Sequence, residues 1–150
     1  MCDLAQVSAK LKRSVSKLYS HDAQLIAGKA HEQAVTACLK RYLHDEFPES
    51  DVDCEYNRDD RDPDDIKRDR DRAAMRPDIV VHQRRTQTNL LAIEVKPYWS
   101  PVDRDEDFAR LEHLTGNRFN YSLGAHVELG RDGPTFTWFS EGRPVGDPHV

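Results

Sequence analysis

Apolar residues recur three or four positions apart at Leu4, Val7, Leu11, Val15 and Leu18, the spacing that lines one face of a helix. The other face carries Lys10, Lys12, Arg13 and Lys17, which reads as a solvated face before it reads as a phosphate-contacting arm. Ser20-His21-Asp22 offers caps, and a second helix is expected from about residue 23 to 46 with Leu25, Val35, Leu39, Leu43 and Phe47 as its stripe. At about 100° per residue, Glu32 falls near the centre of that stripe. A carboxylate facing the body of the protein is costly unless paired. Glu32 therefore either meets a nearby cation, escapes at a helix end, or joins other carboxylates.

Pro48 ends the helix, and Val52, Cys54 and Tyr56 then alternate with acidic residues as a first strand would. Two apolar runs follow later in the chain, Ile79-Val80-Val81 and Leu90-Leu91-Ala92-Ile93, separated by the polar stretch from Gln83 to Asn89. They read as a β-hairpin. With the turn near Thr86 or Gln87, Asp78 comes opposite Glu94, Val95 or Lys96. Alternation puts Glu94 and Lys96 on one side of the strand and Val95 on the other. Phe108, Leu111 and Leu114 mark a helix over about 103–115, and residues 121–129 and 135–139 read as two more strands joined through Gly130 to Pro134. The tail from Glu141, rich in Pro and Gly, is expected to be irregular. The order helix, helix, strand, hairpin, helix, strand, strand is an α/β arrangement around a mixed sheet.

At 150 residues the chain has the size of one domain with a real core, and one domain over 1–150 is expected. Residues 57–72 stand apart: seven Asp, five Arg and one Lys surround a single aliphatic residue. Such a run cannot pack as core and reads as a mobile, solvated loop between strands before it reads as a flap ordered by substrate. A net charge of −5 counts against binding nucleic acid by charge alone, yet leaves room for a metal site built from carboxylates. Three cysteines without CxxC spacing indicate neither a disulfide framework nor a zinc ribbon. The expectation is a cytoplasmic protein without a membrane partner, since no apolar run approaches about 18 residues.

The chemistry concentrates in Arg76-Pro77-Asp78 and Glu94-Val95-Lys96. Two carboxylates and a lysine at the ends of apolar strands are poor core material unless paired or bound to a metal. Together with Glu32 on an early helix, this set resembles the PD-(D/E)xK nuclease superfamily, the restriction-endonuclease-like fold, over roughly residues 23–129. The resemblance implies a restriction-endonuclease-like core of about 23–139, a mixed sheet flanked by helices, with an extra N-terminal helix. It implies Asp78 and Glu94 as ligands of Mg²⁺ or Mn²⁺, with the main-chain carbonyl of Val95, Lys96 as the catalytic lysine, and Glu32 as a supporting carboxylate. Hard oxygen ligands suit magnesium. The implied reaction is phosphodiester hydrolysis, on DNA in preference to RNA. With so small a chain, cutting a duplex would need a homodimer or two separate nicks. Some members carry Gln two residues beyond the lysine, where this chain has Tyr98.

Other signals weigh less. His31-Glu32 starts an HExxH motif, but Val35 stands where its second His is needed. His82, His113 and His126 read as surface or hydrogen-bonded residues rather than a zinc cluster. Tyr98 and Trp99 read as packing before base stacking, and Arg84, Arg85 and Lys67 as solvated turn residues before phosphate contacts. The rival reading from another class is a nuclease-fold module that binds a protein or nucleic-acid partner without cutting, because fold alone does not carry activity.

Overall fold

The computed structural model describes residues 3–56, 67–68 and 75–149. Most of the charged run expected to form a loop lies outside the described residues. The elements in chain order are α1 (Leu4–His21), α2 (Ala23–Ala27), α3 (Glu32–Glu46), β1 (Asp51–Cys54), β2 (Ile79–His82), β3 (Asn89–Pro97), α4 (Asp105–Thr115), β4 (Leu123–Leu129), β5 (Pro134–Ser140) and β6 (Arg143–Val145). The strands form one mixed six-stranded sheet in sequential order. Neighbours are antiparallel except β3 and β4, which are parallel and joined across α4, as a parallel pair requires.

Alternation along the strands sorts the sheet into two faces. Leu91, Ile93 and Val95 of β3 and Leu123, Ala125 and Val127 of β4 pack with Leu11, Val15 and Leu18 of α1 and Val35, Leu39 and Leu43 of α3. On the other face Val80, Ala92, Leu111, Leu114, Phe119, Tyr121 and Phe139 make a smaller cluster under α4. Each face is thereby closed by helices, the arrangement that lets a sheet bury both sides. Gly124 permits the close approach of α4: a Cβ there would lie 3.0 Å from Thr115 Cγ2 and 3.3 Å from Phe139 Cβ.

Two expectations are corrected. The helix expected over 23–46 is interrupted after Ala27. Lys29 N–H donates to Ile26 O at 3.2 Å and Ala30 N–H to Leu25 O at 2.8 Å, with Lys29 in the left-handed region at φ 51°. This is a Schellman stop, and the chain restarts at Glu32 with His31 Nδ1 accepting from Gln33 N–H at 3.2 Å. Glu32 therefore opens a helix instead of sitting in the middle of one. The tail is not wholly irregular either: Glu141 and Gly142, at φ 54° and 78°, make a two-residue turn with both central residues at positive φ that pairs Ser140 with Arg143 and adds β6 at the sheet edge.

The basic face of α1 is largely paired within the chain. Arg13 and Lys17 meet Glu46 at 2.9 and 3.7 Å, Lys12 meets Asp147, and Lys10 lies over the Phe47 ring. Tyr98 and Trp99 pack against the larger core cluster. Lys67, expected in solvent, is buried, its ammonium 4.5 Å from the centre of the Tyr56 ring. Arg84 reaches back across the hairpin to Asp53. Among the described residues, no helix is long and apolar enough to cross a membrane.

Candidate functional site

The hairpin register pairs Ile79 with Ile93 and Val80 with Ala92, so continuing it by one step sets Asp78 beside Glu94. There the strand ladder is replaced by side chains. Asp78 N–H donates to Glu94 Oε2 at 2.8 Å, and Val95 N–H donates to Asp78 Oδ2 at 2.8 Å. Each carboxylate caps a main-chain donor of the opposite strand, which satisfies two groups that would otherwise be stranded where pairing ends.

Glu94 is 1% exposed and Lys96 8%. Both point to the α4 side, with Val95 on the opposite face in the larger core cluster, as the two-residue period requires. From α4, Arg110 donates from Nε to Glu94 Oε1 at 2.6 Å and from Nη2 to Asp107 Oδ1 at 2.5 Å. Lys96 Nζ lies 3.2 Å from Asp107 Oδ2. His126, across from Glu94 in the parallel register, brings Nε2 to 3.1 Å from the same Asp107 oxygen, and the Phe108 ring packs edge-on against its imidazole. Arg104 ties the segment after β3 to α4 and β4 through Pro97 O and Glu128.

Glu32 and Asp78 line a common cleft of about 400 Å³ with His31, Thr36, Cys54 and Glu55. Burial pushes the Asp78 carboxyl up to about 6, with the negative charge of Glu32 adding to the rise and the Val95 N–H opposing it. Glu94 is also raised, first by burial and then by Asp78; Arg110 pulls the other way without cancelling them. Asp107 goes in the opposite direction: burial raises it, and the bonds from His126, Lys96 and Arg110 more than reverse that, leaving it below the usual carboxylate range.

The structure thus brings Asp78, Glu94 and Val95 into direct contact, and Glu32 shares with Asp78 a cleft whose lining does not include Glu94, Val95 or Lys96. Lys96 shares the Glu94 face, but its contact is Asp107. Among the described residues, no three His, Cys, Asp or Glu side chains are arranged to hold a metal ion. The donor chemistry nonetheless fits a hard divalent cation. Three carboxylates, Asp78, Glu94 and Asp107, gather around the two cations Lys96 and Arg110, and Glu32 adds further negative charge.

The sequence does not single out Asp107 or Arg110, and it reads His126 only as a surface or hydrogen-bonded residue. A signal existed for Asp107, since positions 107, 111 and 114 share one helix face, and it therefore stands in line with Leu111 and Leu114. The three histidines are all hydrogen-bonded: His82 to Asp53 at 2.8 Å, His113 to Arg68 O at 3.0 Å, and His126 to Asp107.

No family model matches the chain, and no curated protein does. Among solved structures, the crystal structure of SSO0001 is similar at a TM-score of 0.44 and 15% identity, over 96% of this chain and 68% of that one.

Proposed function

We propose that the chain is a metal-dependent nuclease of restriction-endonuclease-like fold, hydrolysing phosphodiester bonds of DNA in preference to RNA. The observation that carries this reading is the reciprocal capping of Asp78 and Glu94, which forces two carboxylates together in a buried place where their charges repel, with Lys96 on the same strand face. A buried pair of like charges is costly unless both members are matched; Arg110 bonds Glu94, and a divalent ion would match the pair.

In this reading Asp78, Glu94 and the Val95 carbonyl would hold Mg²⁺ or Mn²⁺, and Glu32 would support it from the cleft wall. The bound ion would supply an acidified water and offset charge on the phosphate. The chain's own residues do the rest. Lys96 is held in place by Asp107, so its Nζ can offer a hydrogen bond to charge that develops on the scissile phosphate. The cleft between α3 and the start of β2 is where a phosphodiester would approach. The test is incubation with supercoiled, linear and single-stranded DNA in Mg²⁺, Mn²⁺ or EDTA, alongside Asp78→Ala and Lys96→Ala. Metal-dependent cutting lost in both variants is expected; cutting that survives both overturns the proposal.

One observation favours the second reading, a nuclease-fold module that binds a partner without cutting. Both Glu94 oxygens are engaged, one by Arg110 and one by Asp78 N–H, and Lys96 is held by Asp107. A thermal shift on adding millimolar Mg²⁺ separates the two, because an ion that binds only the folded chain raises its melting temperature.

A further inference from the structure

We infer that Arg110 is a tethered counter-cation that occupies Glu94 in the resting protein and must let go before a divalent ion can bind, so that metal affinity is governed by the release of one guanidinium. The inference rests on the metal-dependent reading above and concerns the regulation of that same site. It starts from Glu94, whose carboxylate is almost fully buried and has its charge matched by Arg110 Nε at 2.6 Å.

The two ends of the guanidinium differ in what they would leave behind. If Arg110 withdraws, Asp107 keeps Lys96 at 3.2 Å and His126 at 3.1 Å, so its charge remains matched. Glu94 keeps only the Asp78 N–H, and the Asp78 carboxylate lies close enough to raise it further. Release therefore uncovers one negative pair and no other, which is the demand a divalent cation meets. Arg110 is also the cation able to leave. Its side chain is 32% exposed, against 10% for Lys96, and it hangs from the outer helix on a flexible stem, whereas Lys96 is rooted in a central strand. A guanidinium competing for the same carboxylate lowers the apparent affinity for metal by the fraction of molecules in which it is displaced.

The test is Mn²⁺ binding without nucleic acid, followed by electron paramagnetic resonance of the free ion, for the metal-free wild type, Arg110→Gln, Arg110→Lys, and each with Asp78→Ala added. Arg110→Gln is expected to bind Mn²⁺ about tenfold or more tightly than wild type, as for a competent state populated at about a tenth or below. Arg110→Lys is expected to fall between, and Asp78→Ala to abolish binding in every background. If wild type binds through Asp78 and Arg110→Gln binds no better, the inference fails while the metal-dependent reading stands. Absence of Asp78-dependent binding in both overturns the two together. A readout on unaltered protein guards against misfolded variants: the Arg110 Nε–H resonance is expected to leave its hydrogen-bonded position on saturation with Mg²⁺, and a resonance unmoved at saturation overturns the inference.

Discussion

The Lys96 ammonium lies 3.2 Å from Asp107 Oδ2, across the gap between a central strand and the helix that crosses over it. Asp107 also takes Arg110 and His126, so one carboxylate anchors three groups of the site. Asp107→Ala would take this carboxylate from the buried Lys96, while Arg110 keeps Glu94, and breaking a buried pair from one side costs about 3–5 kcal/mol. Asp107→Asn, which keeps an acceptor oxygen, should cost clearly less. Urea unfolding of the two variants checks the order, and equal losses would show that the charge, which both variants remove, outweighs the acceptor oxygen and volume that only Asn keeps.

Asp78→Asn should separate stability from activity. The amide oxygen can still accept from Val95 N–H, while the repulsion with Glu94 disappears. Without metal at pH 8 the variant is expected to melt at or above the wild-type temperature and to lose any stabilisation by Mg²⁺. Sites shaped for function are commonly strained in this way. Calorimetry in EDTA and then in Mg²⁺ makes the comparison; a lower melting temperature in EDTA would mean that the aspartate charge is needed for folding.

The same pair fixes the sign of one pH effect. Asp78 and Glu94 are both raised in the folded chain, so the folded state holds more protons than the unfolded state above about pH 4, where free carboxyls ionise. The contribution is fully present below that pH and is lost as pH rises through the folded values, near 6 for Asp78. In EDTA the wild type should therefore lose stability between pH 5 and 8 more steeply than Asp78→Asn. Parallel profiles would count against a strained carboxylate pair.

Asp53 works in the other direction. Its hydrogen bond from Arg84, helped by His82, holds the carboxyl down to about 2 against the opposing effect of burial. Its contribution is present above the unfolded value near pH 4 and is lost as pH falls through about 2. Acid unfolding followed by circular dichroism should show a steeper loss between pH 4 and 2 in wild type than in Asp53→Asn, and matching slopes would remove Asp53 from the acid transition.

Gly124 sets the distance between α4 and the sheet. A valine there would press on Thr115, Phe139 and Leu111, and overpacking of this kind costs about 1–3 kcal/mol. The loss should appear as a lower denaturant midpoint in urea. Unchanged stability in Gly124→Val would mean that the helix slides freely.

Asp78, Glu94 and the orientation of Lys96 were legible because strand alternation and hairpin register are local properties of sequence. The break before Glu32 was not. The residue that takes the left-handed conformation is Lys29 and not Gly28, so the usual glycine signal for a Schellman stop stands one place early and the apolar spacing runs on across it. The α4 partners were hidden for a different reason. Asp107 shares the face of Leu111 and Leu114, yet no local pattern reports which strand the crossover lays that helix over, so neither Asp107 nor Arg110 could be matched to Lys96 or Glu94. β6 was missed because Gly142 and the positive φ at Glu141 make a turn whose second strand is only three residues long.

The parallel pairing of β3 with β4 also has a consequence for the order of assembly. Glu94 and Lys96 belong to a hairpin that can form early from neighbouring segments, while Arg110, Asp107 and His126 arrive only when the β3–α4–β4 crossover closes. A parallel pair cannot close without its crossover, and a carboxylate is costly to bury before its partner is present. The charged centre is therefore a checkpoint in folding: water can leave this side of the sheet only once the crossover helix has docked in its native turn-by-turn alignment.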